Sequence, residues 1–295
     1  MLGVVNLDKP VGPTSHDMVG LLRRLTGTRR IGHAGTLDPL ASGVLPILVG
    51  AATRFSEELT GGSKRYDATI RLGARSATDD AQGPVEPTGA AIPDDDAIRA
   101  AVAGFVGTFE QRPPAFSARK QGGRTAHRAA RAGEPLDLPS RTVSIESIEV
   151  RSIQRADGMA DVRVDLRCGA GTYVRSVARD VGDRLGCGGH LAALRRTEAA
   201  GLRVDDAVTP TQLEALAQAG RLASAVMPVG EFLHMPRASL DAVEAARFRN
   251  GSTVDVDRGL AGRISAWSEG RLLGIGSAEA GRLRPVKVLP TEVEA

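Results

Sequence analysis

The chain has 295 residues, with 38 Lys and Arg against 35 Asp and Glu, a formal charge of +3 and a sequence pI of about 9.2. That length supports one large domain with a small one, or two of ordinary size, and with aromatics at only 3% the core must be built from Ala, Val, Leu and Ile. Cys168 and Cys187 are too far apart for a Cys-x-x-Cys pair and point to a reducing cytosol, and no apolar run nears the ~20 residues of a membrane span.

The chain opens with a strand over 2–7, a loop "DKPVGPTSHD", and a helix over 18–26 in which Thr14 to Asp17 reads as a capping box and Gly27 as the stop. The start "MLGVVNLDKPVG" has no basic head followed by an apolar core, so a cytoplasmic chain is expected. Next comes "GHAGTLDPLASGVLPILVG", Gly32 to Gly50, and two readings of Asp38 stand on these residues. The Asp38-Pro39 step holds Asp38 extended on a loop at the mouth of a buried strand over 44–49, with Pro46 near its beginning or on an edge. Equally, Asp followed by Pro is how many helices begin, Asp as N-cap and Pro at N1. His33 is the only one of five histidines beside this acid.

Residues 65–72 alternate, with Tyr66, Ala68, Ile70 and Leu72 on one face, as a half-buried strand does. From Gln111 to Gly133 there are Arg112, Arg119, Lys120, Arg124, Arg128 and Arg131 and no acid. Arg124, Arg128 and Arg131 fall on one face of a short helix after a Gly122-Gly123 hinge. The segment reads as a mobile basic arm for a phosphate backbone, against the plainer reading of a solvated loop. Alternating runs over 143–153 and 161–168 flank a turn at 156–158 and indicate antiparallel strands. Val174, Val177, Val181 and Leu185 then repeat at helical spacing up to Gly186.

A boundary falls at "MPVGEFL", giving a unit over 1–228 and a second over 232–295. The second has a helix over 239–249 and apolar stretches over 263–267, 272–275 and 283–289, split by turns at Glu269-Gly270 and Ala280-Gly281. That spacing describes a small β-rich barrel. The expected fold is α+β: a mixed or antiparallel sheet with flanking helices, plus the barrel. Phosphate-loop, dinucleotide, zinc-protease, deaminase and nucleophile-elbow signatures are absent, so no cofactor and no metal are expected.

"GHAGTLDPLASGVLPILVGAATR", "KRYDATIRLG" and "GAGTYVRSVARDVG", in this order and over nearly the whole chain, resemble the TruB-type tRNA pseudouridine-55 synthases, and the last sixty or so residues resemble a PUA-type RNA-binding module. The resemblance implies a base-flipping isomerase that converts the T-loop uridine of tRNA to pseudouridine without cofactor, acting as a monomer on the T-arm. It makes Asp38 the essential carboxylate and Arg175 its partner. Tyr66 becomes the residue stacked on the uracil, Leu194 the apolar wall of the pocket, and Asp80 a supporting acid for Tyr66 or Arg175. It places His33 in the gap left by the flipped base and assigns the 111–133 arm to a thumb. Lys64, Arg119, Lys120, Arg124 and Arg128 then serve as RNA contacts. Two departures stand out, Ala170 where a Lys is common and Ala34 where Thr is common. Two other readings remain open here: a tRNA-binding or folding-assistance protein, indifferent to loss of Asp38, and a synthase for another RNA site, which swapped substrates would reveal.

Overall fold

The computed structural model describes residues 1–290 except Ala118 and Pro135, and the side chains of Lys120, His127 and Arg131 also lie outside the described set. In chain order the elements begin with β1 (Gly3–Lys9), α1 (Ser15–Thr26), β2 (Ile31–His33), β3 (Ala41–Val49), α2 (Ser56–Thr60), β4 (Lys64–Leu72), β5 (Ala74–Ser76), β6 (Val85–Pro87), α3 (Asp95–Ala103) and β7 (Gly107–Gln111). The basic arm holds β8 (Lys120–Gln121), β9 (Arg124–Thr125) and α4 (Ala126–Arg131). There follow β10 (Arg141–Ala156), β11 (Met159–Cys168), α5 (Val174–Arg184), β12 (Gly189–Ala199), β13 (Leu202–Arg203) and α6 (Pro210–Gln218). The C-terminal unit comprises β14 (Arg237–Ser239), α7 (Ala242–Arg249), β15 (Val254–Asp255), β16 (Gly262–Ser268), β17 (Arg271–Glu279) and β18 (Arg282–Val288).

The main sheet runs β1-β3-β12-β4-β11-β10-β7, antiparallel except where β12 meets β3, with β2 and β13 on side branches. Its alternation is clearest in β4, where Tyr66, Ala68, Ile70 and Leu72 turn inward onto α3 and α5. The β10–β11 hairpin closes at Asp157 and Gly158, both at positive φ, as a two-residue hairpin turn requires. α1 starts on the Thr14–Asp17 capping box and ends at Gly27 in the left-handed conformation. α1 and α6 cover the core face of β1 and β3.

The second sheet, β14-β16-β17-β18-β15, turns at Glu269-Gly270 and Ala280-Gly281, all four residues at positive φ, and has a PUA-like fold with its own core around Phe248, Ile264 and Leu283. A further core cluster runs from Val4, Leu48 and Phe55 through Val229 and Leu233 to Ile275 and Leu289, so the two sheets share buried apolar surface. Lys287 adds ion pairs to Glu57 (2.9 Å) and Glu58 (3.0 Å) of α2, and Arg263 pairs with Glu58.

Several local expectations are corrected. Asp38 caps no helix: Pro39 and Leu40 form a turn that enters β3 directly. β3 begins at Ala41, and Pro46 lies inside it rather than at its beginning or on an edge. It is tolerated because β12 pairs only with Ala41–Gly43, and the Pro46 carbonyl still accepts from Ala34 N at 2.9 Å. Gly122-Gly123, both at positive φ, turn the β8–β9 hairpin instead of hinging a helix. Arg124 therefore belongs to β9 and not to the helical face of Arg128 and Arg131. The C-terminal helix starts at Ala242, not at 239, because Asp241 forms a capping box with Glu244 while Ser239 is strand.

Candidate active site

Asp38 sits on the loop between β2 and β3, and α1 holds that loop from behind. Ser15 Oγ donates to the Leu37 carbonyl at 2.9 Å and accepts from Leu37 N at 2.8 Å, and Gly12 N donates to the Pro39 carbonyl at 2.8 Å. The backbone on both sides of Asp38 is thus pinned, while its carboxylate stays partly open, with 41% of the side chain exposed. The residue facing it is Arg175, second in α5, with Nε 3.0 Å from Asp38 Oδ2 and only 7% of its side chain exposed. The same guanidinium approaches Asp80 Oδ2 (3.5 Å) and donates to the carbonyls of Thr78 (3.1 Å) and Phe116 (2.9 Å). Asp80 is buried and held by Thr78 Oγ1 at 2.6 Å and Gln82 N at 3.0 Å. Arg175 is therefore a fixed cation that orients Asp38.

These groups open onto a cavity of about 290 Å³. Its wall includes Asp38, Lys64, Tyr66, Arg175, Leu194 and Arg196. Tyr66 is buried, and desolvation raises its phenol above the ordinary range despite the opposing field of Arg196. It presents a neutral hydroxyl and a ring face at neutral pH. Leu194 lies on β12 between Ala41 of β3 and Ala68 of β4 and lines the cavity. Lys64 lines the wall, its ammonium donating to the Thr60 (2.8 Å) and Gly62 (2.7 Å) carbonyls. Burial lowers its pKa to about 8, helped by Arg196.

The remaining candidates lie away from this wall. His33 ends β2, half-buried, with Nδ1 sealed from solvent and without a partner among the described residues, and desolvation lowers its pKa. Arg119, Arg124 and Arg128 are exposed on the arm. Although the arm has no acid of its own, Arg124 pairs with Glu134 at 2.6 Å and Arg112 with Asp137 at 2.7 Å, both acids lying just beyond it. The Lys120 and Arg131 side chains fall outside the described residues. Among the described residues no cluster of three or more His, Cys, Asp or Glu side chains could hold a metal ion, and no helix is long and apolar enough to cross a membrane.

Sequence reasoning missed three parts of the site. Arg196, 1% exposed, donates to the Val44 carbonyl (2.7 Å) and the Gly35 carbonyl (2.9 Å) and lies opposite both Gly43 and Tyr66 in the sheet. A Cβ on Gly43 would collide with the Arg196 backbone, which is why β3 carries glycine there. Lys9 is fully buried, donates to the Pro10 (2.7 Å) and Pro13 (2.8 Å) carbonyls, and has its pKa lowered to about 8 by burial against the field of Asp38. Gln111 exchanges hydrogen bonds with the Tyr173 backbone, N to Oε1 at 2.9 Å and Nε2 to O at 3.1 Å, and so ties the arm's base to the start of α5.

A family model described as TruB family pseudouridylate synthase (N terminal domain) matches residues 23–174, just over half of the chain and including Asp38 and Tyr66. The chain belongs to that family. The models for the tRNA pseudouridylate synthase B C-terminal domain and for pseudouridine synthase II TruB, C-terminal, match 175–234 and 236–289. The tRNA pseudouridine synthase B of Aromatoleum aromaticum is 42% identical over 295 residues, 99% of this chain and 94% of its own length. That of Burkholderia mallei is 41% identical over 298 residues, 98% and 97%. That of Mycobacterium sp. (strain KMS) is 46% identical over 250 residues, 84% and 83%. Among solved structures, a chain of a Cbf5-Nop10-Gar1 complex superposes with a TM-score of 0.73 at 26% identity, covering 98% of this TruB-family chain and 84% of that one. A chain of an H/ACA RNP bound to a substrate RNA containing 2'-deoxyuridine shares the fold, with a TM-score of 0.74 at 24% identity over 98% and 86%.

The two buried lysines of this TruB-family site make folding pH-dependent. Lys9 and Lys64 release their protons near pH 8 when folded but near 10.5 when unfolded, so between these values the unfolded chain binds more protons and stability rises with pH. Cys168 opposes this above pH 9, because burial pushes its thiol to about 11. Urea unfolding is expected to show a gain of roughly 1–2 kcal/mol from pH 7.5 to 9 and a shallower rise from 9 toward 10.5. A fall across the first interval would mean that the lysines are not desolvated.

Proposed function

We propose that this TruB-family chain is a tRNA pseudouridine synthase that isomerises the T-loop uridine at position 55, with 1–228 as the catalytic unit and 232–295 as an RNA-binding unit. The observation that carries this reading is the Asp38–Arg175 pair, 3.0 Å apart, at the mouth of a cavity walled by Tyr66 and Leu194. The reaction breaks the bond from N1 to C1′ and forms one from C5 to C1′. A proton leaves C5 and another arrives at N1, so atoms and charge balance without a redox partner. Attack on the base, attack on C1′ and removal of a ribose proton all need an aimed carboxylate, and Arg175 does the aiming. Tyr66 offers a face for the uracil and a hydroxyl beside C5.

A stacked base reaches such a cavity only by flipping, at a cost of a few kcal/mol. His33 fills the vacated place, Asp80 steadies Arg175, and Lys64, Arg119, Lys120, Arg124 and Arg128 meet the RNA. The homologues' names direct the reading to tRNA. We place the protein in the cytoplasm as a monomer. Tritium release from C5-tritiated uridine in an unmodified tRNA transcript, followed by mapping of the modified site, tests the proposal. Release from the T-loop uridine is the expected result, and its absence despite tight binding would sink the enzyme reading.

Binding itself should weaken steeply with salt. With three or more arm cations on phosphates, the log-log slope of affinity against salt is expected at about −2 or steeper. A flat plot in a filter-binding series would remove the arm from the interface.

A further inference from the structure

We propose that Arg141 is a phosphate-binding residue of the RNA site, holding a phosphodiester of the strand that delivers the uridine; this rests on the synthase reading above. Arg141 begins β10 opposite Gln111 of β7, and Gln111 is the buried residue locked to the Tyr173 backbone. That register sets Arg141 beside the loop Gly171-Thr172-Tyr173, which forms part of the cavity wall. The contact is direct, because a Cβ on Gly171 would collide with the Arg141 guanidinium, so the guanidinium occupies the space this glycine leaves open.

What distinguishes Arg141 is a buried guanidinium nitrogen with no partner among the described residues. The cations of the cavity wall are committed: Arg175 to Asp38, Asp80 and two carbonyls, Lys64 to two carbonyls, Arg196 to two more. On the arm, Arg112 and Arg124 are held by Asp137 and Glu134. Arg141 has no carboxylate and no hydrogen-bond acceptor among the described residues. Its Nε is closed off from solvent and unpartnered, while its terminal amino groups remain in contact with solvent. A sealed N–H without an acceptor is costly, and a planar fork of donors fits two phosphate oxygens at once. α5, which starts at Val174 without a side-chain cap, adds the positive end of its dipole at the same rim. An anion at this rim would meet the open terminal amino groups of Arg141 and the positive end of α5, and in an RNA enzyme that anion is the backbone phosphate next to the flipped nucleotide.

The test measures Kd for a T-arm stem-loop across salt, with wild type, Arg141→Ala and Arg141→Lys. The alanine variant is expected to raise Kd about tenfold and to reduce the log-log salt slope by roughly one. Lysine should restore the slope but only part of the affinity, because a point charge lacks the fork. Stem-loops carrying a single neutral methylphosphonate at each linkage around the target uridine supply the decisive readout. One linkage should weaken wild type and leave Arg141→Ala unchanged. An unaltered slope in the alanine variant, or linkages that weaken both proteins equally, would overturn the assignment. Should alanine fail to fold, the lysine variant and the methylphosphonate series on wild type carry the test. Wild-type tritium release alongside a silent Arg141→Ala sinks only this inference, whereas no release by wild type sinks the synthase reading first.

Discussion

Asp38→Asn is expected to lower tritium release from C5-tritiated tRNA by about four orders of magnitude or more, while RNA affinity stays within a few-fold of wild type. The amide keeps the volume of the side chain and an oxygen that can still accept from Arg175 Nε. It removes the negative charge that every route through this residue requires. Folding should be little disturbed, because the Asp38 side chain is 41% exposed and its loop is held by backbone contacts to Ser15 and Gly12 rather than by the carboxylate. Arg175 would retain Asp80 and the Thr78 and Phe116 carbonyls. The comparison is made at equal RNA occupancy, so that a loss of binding is not mistaken for a loss of chemistry. A variant that keeps even a tenth of the wild-type rate would show that the chemistry runs through another group, and preserved binding without activity would separate this enzyme from a pure tRNA-binding protein.

Arg175→Met should cost both stability and activity. The substitution fills much of the space but leaves Asp80, whose side chain is 4% exposed, without its cation, and removes the donor from two carbonyls. Breaking a buried ion pair by deleting one partner typically costs about 3–5 kcal/mol. For a chain of this size that corresponds to a fall of roughly 10 °C in Tm. Pairing Arg175→Met with Asp80→Asn should recover part of the loss, since the orphaned charge is then gone, whereas activity should stay low in both because Asp38 has lost the group that orients it. Calorimetry on the single and double variants decides the matter. A single variant that melts with wild type would show that Asp80 and Arg175 do not stabilise one another.

The elements readable from the chain were those whose signals are local. β4 alternates residue by residue, α1 carries its own cap and stop, and the hairpin turns at Asp157-Gly158, Glu269-Gly270 and Ala280-Gly281 need nothing beyond residues that accept positive φ. The long motif around Asp38, with Tyr66 and the "GTYVRS" stretch, pointed to the family from sequence, because a catalytic loop constrains its residue types position by position. β12 escaped notice although it is central to the main sheet and carries Leu194 and Arg196. Two register shifts against β4 erase its alternation, and two adjacent arginines give it the look of a surface. Whether an arginine is buried depends on which carbonyls the rest of the fold points at it, and the carbonyls of Gly35 and Val44 are more than 150 positions away from Arg196. The arm's charge is partly neutralised by Glu134 and Asp137, which lie just past the acid-free stretch and pair back onto Arg124 and Arg112. Residue types and short-range order are written along the chain. The partners of Asp38, Arg175 and Arg196 were settled by long-range pairing in the sheet, where burial makes each unmatched group costly enough to select one arrangement.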